Sequence, residues 1–176
     1  MDTAAARKSN RADLVKWLGR IRLLSLDVDG VFTDGGIYFA DDGLTLRRFN
    51  VRDGLGVKRV IAAGVEVAII SAGIQDSIRR RMEGLGIRHV YTGVPDKAAT
   101  CRELCERLGI LLEDVAHLGD DLPDLDLMRA VGCPIAVADA VPEVLAAARH
   151  VTERPGGAGV VREICDLLVA VRSDGG

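Results

Sequence analysis

Apolar residues along this chain follow two rhythms. Short, nearly unbroken runs such as "LLSLDV", "VEVAII" and "VAHL" alternate with longer stretches in which apolar residues return every three or four positions. The runs predict strands over 23–28, 65–70, 88–91, 114–118 and 134–137. The longer stretches predict helices over 54–63, 74–85, 97–108, 123–131, 142–148 and 158–171. The strand runs show little polar alternation, as expected of strands covered on both faces. Strands followed regularly by helices imply right-handed crossovers. The expected fold is therefore α/β, a Rossmann-like, mainly parallel sheet with helices on both faces. Ahead of the first strand, "RADLVKWLGRIR" places Leu14, Val15, Leu18 and Ile21 at helical spacing. Residues 1–20 thus read as a lead-in and a short amphipathic helix, and 21–172 as one domain. Trp17 reads as a packing residue.

One segment breaks the alternation. Between the first strand and the first long helix, "GIYF" and "LTLRRF" flank the turn sequence "ADDG". This predicts a β-hairpin over 36–49, inserted after the first strand. Nothing else in the sequence leaves space for a second domain, and it contains neither an internal repeat nor a low-complexity linker.

Composition narrows the partners. With 48% hydrophobic and 28% charged residues among 176, the chain reads as globular. Its net charge of −3 gives no electrostatic case for nucleic acid. No apolar run reaches the roughly 18 residues of a membrane span, and the first residues lack a signal-peptide core. Cys101, Cys105, Cys133 and Cys165 form no CxxC pair and have no histidine near Cys101 and Cys105, so they read as buried reduced thiols, which favours the cytoplasm. His89, His117 and His150 lack a second ligand at metal spacing and read as packed or surface residues.

The polar residues at the strand ends carry the candidate chemistry. Ligands of an open parallel sheet bind beyond the carboxyl ends of its strands. The first strand ends in Asp27 and Asp29, the second in Ser71, the fourth in Gly119, Asp120 and Asp121, and Lys97 opens the helix after the third. Asp27 and Asp29 can act as nucleophile and proton carrier. Their mutual repulsion calls for a cation, and Asp120 adds a third carboxylate to an all-oxygen site suited to Mg²⁺. Ser71 and Lys97 can hold phosphoryl oxygens. Together they fit phosphoryl transfer through an aspartyl-phosphate. Each also has a plainer explanation when taken alone. "DVDG" can be a solvated turn, Ser71 a helix cap, Lys97 a surface charge, and "GDDLPDLD" an acidic helix start. An EF-hand fits poorly, because Val31 falls at its fifth position and no glutamate closes the loop. The order of the groups along one sheet edge favours a site.

"DVDGVFTDG", Ser71, Lys97 and "GDDLPD" resemble the four motifs of the haloacid dehalogenase superfamily of phosphohydrolases. "FNVRDGLGVK", "GIRHVYTGVPDK", "VAVADAVPEV" and "RPGGAGVVREICDLL" are similar to its capless branch, the octulosonate 8-phosphate (Kdo 8-phosphate) phosphatases. The resemblance covers roughly residues 21–170 and implies a Mg²⁺-dependent phosphatase without a cap domain. By it, Asp27 is the nucleophile and Asp29 the general acid and then base. Mg²⁺ is held by Asp27, the main-chain carbonyl of Asp29 and Asp120, with Asp121 or Asp124 acting through water or orientation. Ser71 and Lys97 hold the phosphoryl group. The resemblance also implies a homotetramer built through the 36–49 hairpin, and a glycine-rich tail that reaches a neighbour's pocket through Arg154, Gly156 and Gly157. Arg52 and Asp53 of "FNVRDG" are further candidates for substrate contact. One departure concerns specificity. Ala72 and Gly73 stand where the branch usually carries Gly-Arg, whose arginine meets the sugar acid. Arg47, Arg48 and Arg52 are candidate replacements, or else solvated hairpin charges. The expected substrate is a phosphorylated sugar acid of the Kdo 8-phosphate type, with a nine-carbon ulosonate 9-phosphate as the alternative. A non-catalytic assembly module of sialic-acid activation is the alternative of another class.

Overall fold

A computed structural model describes residues 11–173, so the lead-in expected over 1–10 lies outside the described residues. Strand β1 (Leu23–Leu26) runs through the middle of a six-stranded sheet. β4 (Glu66–Ile70) and β5 (His89–Tyr91) lie on one side of it. β6 (Val115–Gly119), β7 (Cys133–Ala136) and β8 (His150–Val151) lie on the other. Every pairing is parallel. The hairpin is present as a separate antiparallel pair, β2 (Tyr38–Phe39) with β3 (Thr45–Leu46). Among the described residues no cap domain is evident, and no helix is long and apolar enough to cross a membrane.

The two-fold alternation of β1 assigns its side chains to opposite faces. Leu24 and Leu26 join a core with Val57 and Val60 of α2 (Val51–Ala62) and Val161, Ile164 and Leu168 of α7 (Val160–Ser173). Leu23 joins a second core with Ala98, Cys101 and Leu104 of α4 (Lys97–Leu108) and Leu127 of α5 (Leu125–Ala130). Each fully buried leucine contributes about 1.5–3 kcal/mol. These two apolar layers fix the sheet and therefore the position of its carboxyl edge. The remaining helices are α1 (Arg11–Leu18), α3 (Asp76–Glu83) and α6 (Pro142–Ala147). All four cysteines are buried and free. Burial pushes the Cys101 and Cys133 thiols up to about 12, so they remain protonated packing groups.

Several boundaries differ from the sequence reading. α2 begins at Val51, because the Asn50 side chain accepts a hydrogen bond from the Arg52 backbone and caps the helix earlier. The stretch expected as one helix over 123–131 begins with a 3₁₀ turn at Leu122–Asp124, and the α-helix follows. β8 was not predicted: two half-buried residues leave no run to detect. Leu14 and Leu18 of α1, and Ile21 just beyond its end, face the core, but Val15 is 43% exposed on the outer side.

Asp53 illustrates burial against chemistry. It is fully buried in the first turn of α2, where Oδ1 accepts from the backbone N of Arg162 and Oδ2 has no partner. Burial pushes its carboxyl up to about 6, against the opposing hydrogen bond from Arg162 and the charge of Arg154. An unfolded Asp titrates near ~3.9, so between these values the folded protein holds a proton that the unfolded chain releases. Stability therefore falls as pH rises through this window, by up to about 3 kcal/mol. Asp53→Asn is expected to raise the urea midpoint at pH 8 and to lose that advantage below pH 4. An equal difference at both pH values would contradict this origin.

Candidate active site

The end of β1 turns into a loop that holds its own shape. Thr33 Oγ1 accepts hydrogen bonds from the backbone N of Gly30 and of Gly35. Gly30 adopts φ +79°, and a Cβ there would lie 1.9 Å from Asp120 Oδ2. Only glycine lets the aspartate loop approach the end of β6 so closely. The result is a group, buried at Asp27 and Asp124 and half-buried at Asp120, in which each residue brings a carboxylate oxygen within 4.8 Å of the others.

Lys97, at the start of α4, is the counter-charge. Its Nζ lies 2.8 Å from Asp27 Oδ2 and 2.6 Å from Asp124 Oδ1. Burial alone would lower the ammonium's pKa, but the two carboxylates overcome it and hold the value above the ordinary one. Asp124 is tied at both oxygens. Oδ1 accepts from Lys97 and faces His117 Nε2 at 3.0 Å, while Oδ2 accepts from the backbone N of Asp120 and of Asp121. Burial would raise its carboxyl, yet His117 and Lys97 hold it well below the usual range. It is a fixed anion that orients its neighbours. Asp27 goes the other way: burial and the charge of Asp124 raise it, against Lys97. Asp120 is pushed up to about 7 by burial and by the charges of Asp27 and Asp124.

Such crowding is a test of cation fit. One ammonium faces three carboxylates, and two of these are pushed toward holding protons. An oxygen-only donor set with excess negative charge suits a hard divalent cation, so the residues fit Mg²⁺. Asp27 and Asp120 would hold it, and Asp124 would orient them. Asp121 is exposed; its Oδ1 accepts from the backbone N of Leu122, and it forms a capping box with Asp124, each side chain accepting from the other's backbone N.

Ser71 follows β4, is buried, and its Oγ accepts from the backbone N of Gly73, leaving the hydroxyl proton to donate. A Cβ built on Gly73 would lie 3.3 Å from Asp29 Oδ2 and 3.4 Å from Ser71 Oγ, so both groups stand beside Gly73, with Ile78 Cδ1 nearer still at 2.7 Å. Asp29 is 32% exposed at its side chain and is gripped by Arg47, whose side chain is 2% exposed. Arg47 is thus a buried partner of the site. The reading of it as a solvated hairpin charge is corrected, because the hairpin turns this one residue inward. Arg48 is exposed and pairs with Asp34, and Arg52 is exposed on the first turn of α2.

The sequence reading missed one further contributor. His117, buried on β6, spans Ser25 Oγ at 3.1 Å and Asp124 Oδ1 at 3.0 Å. Its signal was a polar residue inside an apolar central strand, level with Ser25 on β1.

The glycine-rich tail packs against the chain's own loop. Gly157 N donates to the Val31 carbonyl, and Gly156 N donates to Asp139 Oδ1. A Cβ on Gly156 would lie 2.0 Å from the Gly30 carbonyl oxygen. Gly156→Ala is therefore expected to push the aspartate loop aside, lowering stability by about 2–3 kcal/mol and cutting turnover with it. Wild-type stability and turnover in this variant would contradict the packing. Arg154 lines a separate cavity of about 510 Å³ with His150, Arg162 and Asp166, which contains none of the clustered carboxylates.

Comparison with known proteins places this geometry in context. Residues 57–164 match the family model for haloacid dehalogenase-like hydrolases. The chain is 46% identical over 158 residues to the 3-deoxy-D-manno-octulosonate 8-phosphate phosphatase of Escherichia coli (strain K12), spanning 90% of this chain and 84% of that one. The crystal structure of the corresponding Yersinia pestis phosphatase superposes with a TM-score of 0.89 at 43% identity, covering 92% of this chain and 87% of that one. The Moraxella catarrhalis phosphatase, solved with a magnesium ion, a phosphate ion and a KDO molecule, superposes with a TM-score of 0.91 at 34% identity. That match covers 94% of this chain and 95% of the Moraxella one.

Proposed function

This chain belongs to the haloacid dehalogenase-like hydrolases and is a phosphatase, and from that premise we propose that it hydrolyses a phosphorylated sugar acid of the Kdo 8-phosphate type through an aspartyl-phosphate on Asp27. The supporting observation is the meeting of Asp27, Lys97, Asp120 and Asp124 at the carboxyl edge of neighbouring parallel strands, with Ser71 at the end of the adjoining β4. The relatives' named substrate and the KDO molecule bound in the Moraxella structure support the substrate class.

Asp27 attacks phosphorus while Ser71 Oγ and Lys97 Nζ hold phosphoryl oxygens. Asp29 donates a proton to the leaving sugar oxygen and then takes one from the water that attacks the phospho-aspartate. Mg²⁺, the enzyme's cofactor, would be held by Asp27 and Asp120 together with the Asp29 main-chain carbonyl, and would neutralise charge on the phosphoryl oxygens. Lys97 is spent between Asp27 and Asp124, so it steadies the nucleophile before substrate arrives and meets the phosphoryl group afterwards.

The hairpin supports assembly as a homotetramer. Tyr38, Phe39, Leu44 and Leu46 are all more than half exposed, an apolar patch of the kind that marks a protein contact. A cytoplasmic enzyme is consistent with four free thiols.

A substrate comparison tests the reading. Kdo 8-phosphate, a nine-carbon ulosonate 9-phosphate and glucose 6-phosphate are each given with Mg²⁺. At least about a tenfold preference in kcat/KM for an acid over the hexose phosphate is expected. Gly73 contributes no side chain that would discriminate carbon number, so the first two decide between acids. Equal use of glucose 6-phosphate would exclude the sugar-acid class. No hydrolysis of any ester by an intact tetramer would favour an assembly module.

A further inference from the structure

Arg47 leaves the hairpin in the opposite sense to its neighbours. Leu46 and Arg48 are exposed, whereas the Arg47 side chain reaches back into the aspartate loop and is almost fully buried. Its Nε donates to Asp29 Oδ1 at 2.6 Å, and its Nη2 donates to Asp29 Oδ2 at 3.2 Å and to Gln75 Oε1 at 3.0 Å. The third nitrogen, Nη1, is buried without a hydrogen-bond partner. Buried donors are nearly always satisfied, so this guanidinium has capacity that the resting contacts leave unused.

The same contacts conflict with proton transfer. Arg47 takes both oxygens of Asp29, and the carboxylate cannot turn toward a leaving-group oxygen while the fork is closed. A phosphoryl group set between Asp27, Ser71 and Lys97 would direct its leaving group past Asp29. A leaving group that takes a proton from Asp29 must come against the guanidinium that grips it, because Arg47 Nη2 bridges Asp29 Oδ2 and Gln75 Oε1.

We propose that Arg47, braced by Gln75, is the specificity residue of this phosphatase: its guanidinium exchanges Asp29 for a carboxylate on the substrate's leaving group, and so releases Asp29 for proton transfer when an acidic leaving group is bound. The inference rests on the sugar-acid reading above. Exchanging one carboxylate for another preserves charge, and a planar fork accepts either with the same geometry. The rearrangement also gives Nη1 an acceptor. A neutral polyol offers no such exchange and leaves the Arg47–Asp29 pair closed.

Steady-state kinetics of wild type, Arg47→Ala and Arg47→Lys on Kdo 8-phosphate and glucose 6-phosphate test this, together with inhibition by free Kdo and by inorganic phosphate. In Arg47→Ala the acid-to-neutral ratio of kcat/KM is expected to fall about ten- to a hundredfold, the scale of charged hydrogen bonds. Arg47→Lys, which keeps the charge but not the fork, is expected to fall less. Inhibition by free Kdo should weaken in parallel, while inhibition by inorganic phosphate stays within about threefold of wild type, since Arg47 is not a phosphoryl ligand in this scheme. Circular dichroism and gel filtration establish that each variant is folded and assembled. A wild type that prefers the acid and an Arg47→Ala variant that keeps that ratio would overturn the inference alone. Equal weakening of phosphate and Kdo inhibition would also overturn it, since Arg47 would then only shape the loop. A wild type that uses both esters equally would reject the sugar-acid reading and this inference with it.

Discussion

Asp27→Asn is expected to abolish phosphatase turnover, by at least about 10⁴-fold, while the protein stays folded. The amide keeps the shape of the side chain but cannot form the acyl-phosphate bond. Neighbouring groups do not replace it. Asp124 is tied at both oxygens by Lys97, His117 and two backbone N–H groups, and Asp29 is held by Arg47. Stability should change little, because the substitution removes one member of a crowded carboxylate group. Burial and the charge of Asp124 already raise the Asp27 carboxyl, so its charge is not a net support of the fold. The loss of one hydrogen bond to Lys97 offsets part of that relief. Hydrolysis of a generic phosphate ester and a thermal unfolding scan check both halves. Turnover within about tenfold of wild type would place the nucleophile elsewhere.

Lys97→Met should cost both stability and activity. The methionine preserves the apolar stem of a side chain that is 4% exposed, so the comparison isolates the ammonium. Without it, Asp27 and Asp124 lose a shared partner at 2.8 and 2.6 Å and face Asp120 with no local lysine. Breaking a buried ion pair from one side costs about 3–5 kcal/mol, because it leaves buried charge uncompensated. Turnover should fall about 10²–10³-fold as the phosphoryl group loses its fixed donor. Saturating Mg²⁺ should recover more of the midpoint in this variant than it adds to wild type, since added positive charge relieves the same repulsion. A midpoint shift below about 1 kcal/mol would mean that the carboxylates are balanced by something else.

The parts of the site that were legible in the sequence share a physical reason. Asp27, Ser71 and Asp120 follow strand runs directly, and Lys97 opens a helix, so the parallel-sheet inference brought them to one edge without any knowledge of side-chain packing. Arg47 was not legible in the same way. Nothing within "LTLRRF" distinguishes it from Arg48, because which face of a short hairpin meets the aspartate loop depends on how the hairpin leans. Asp121 and Asp124 could not be ranked from sequence, although "DLPD" has the spacing of a capping box that consumes Asp121 in the cap. The closeness of Gly156 to the Gly30 carbonyl is a tertiary contact between distant segments that no local pattern encodes. Asp53 shows the opposite limit: its charge and its place in "VRDG" pointed to substrate, while full burial against the start of α7 assigns it to packing.

Phosphoryl transfer to Asp27 from a sugar-acid phosphate is read out by rapid acid quench of the enzyme with Kdo 8-phosphate and Mg²⁺, followed by peptide mass spectrometry. A phosphoryl adduct on Asp27 is expected, accumulating further in Asp29→Asn, where the water is no longer activated, and absent from Asp27→Asn. Steady turnover with no adduct at any quench time in either wild type or Asp29→Asn, or an adduct on another residue, would contradict it.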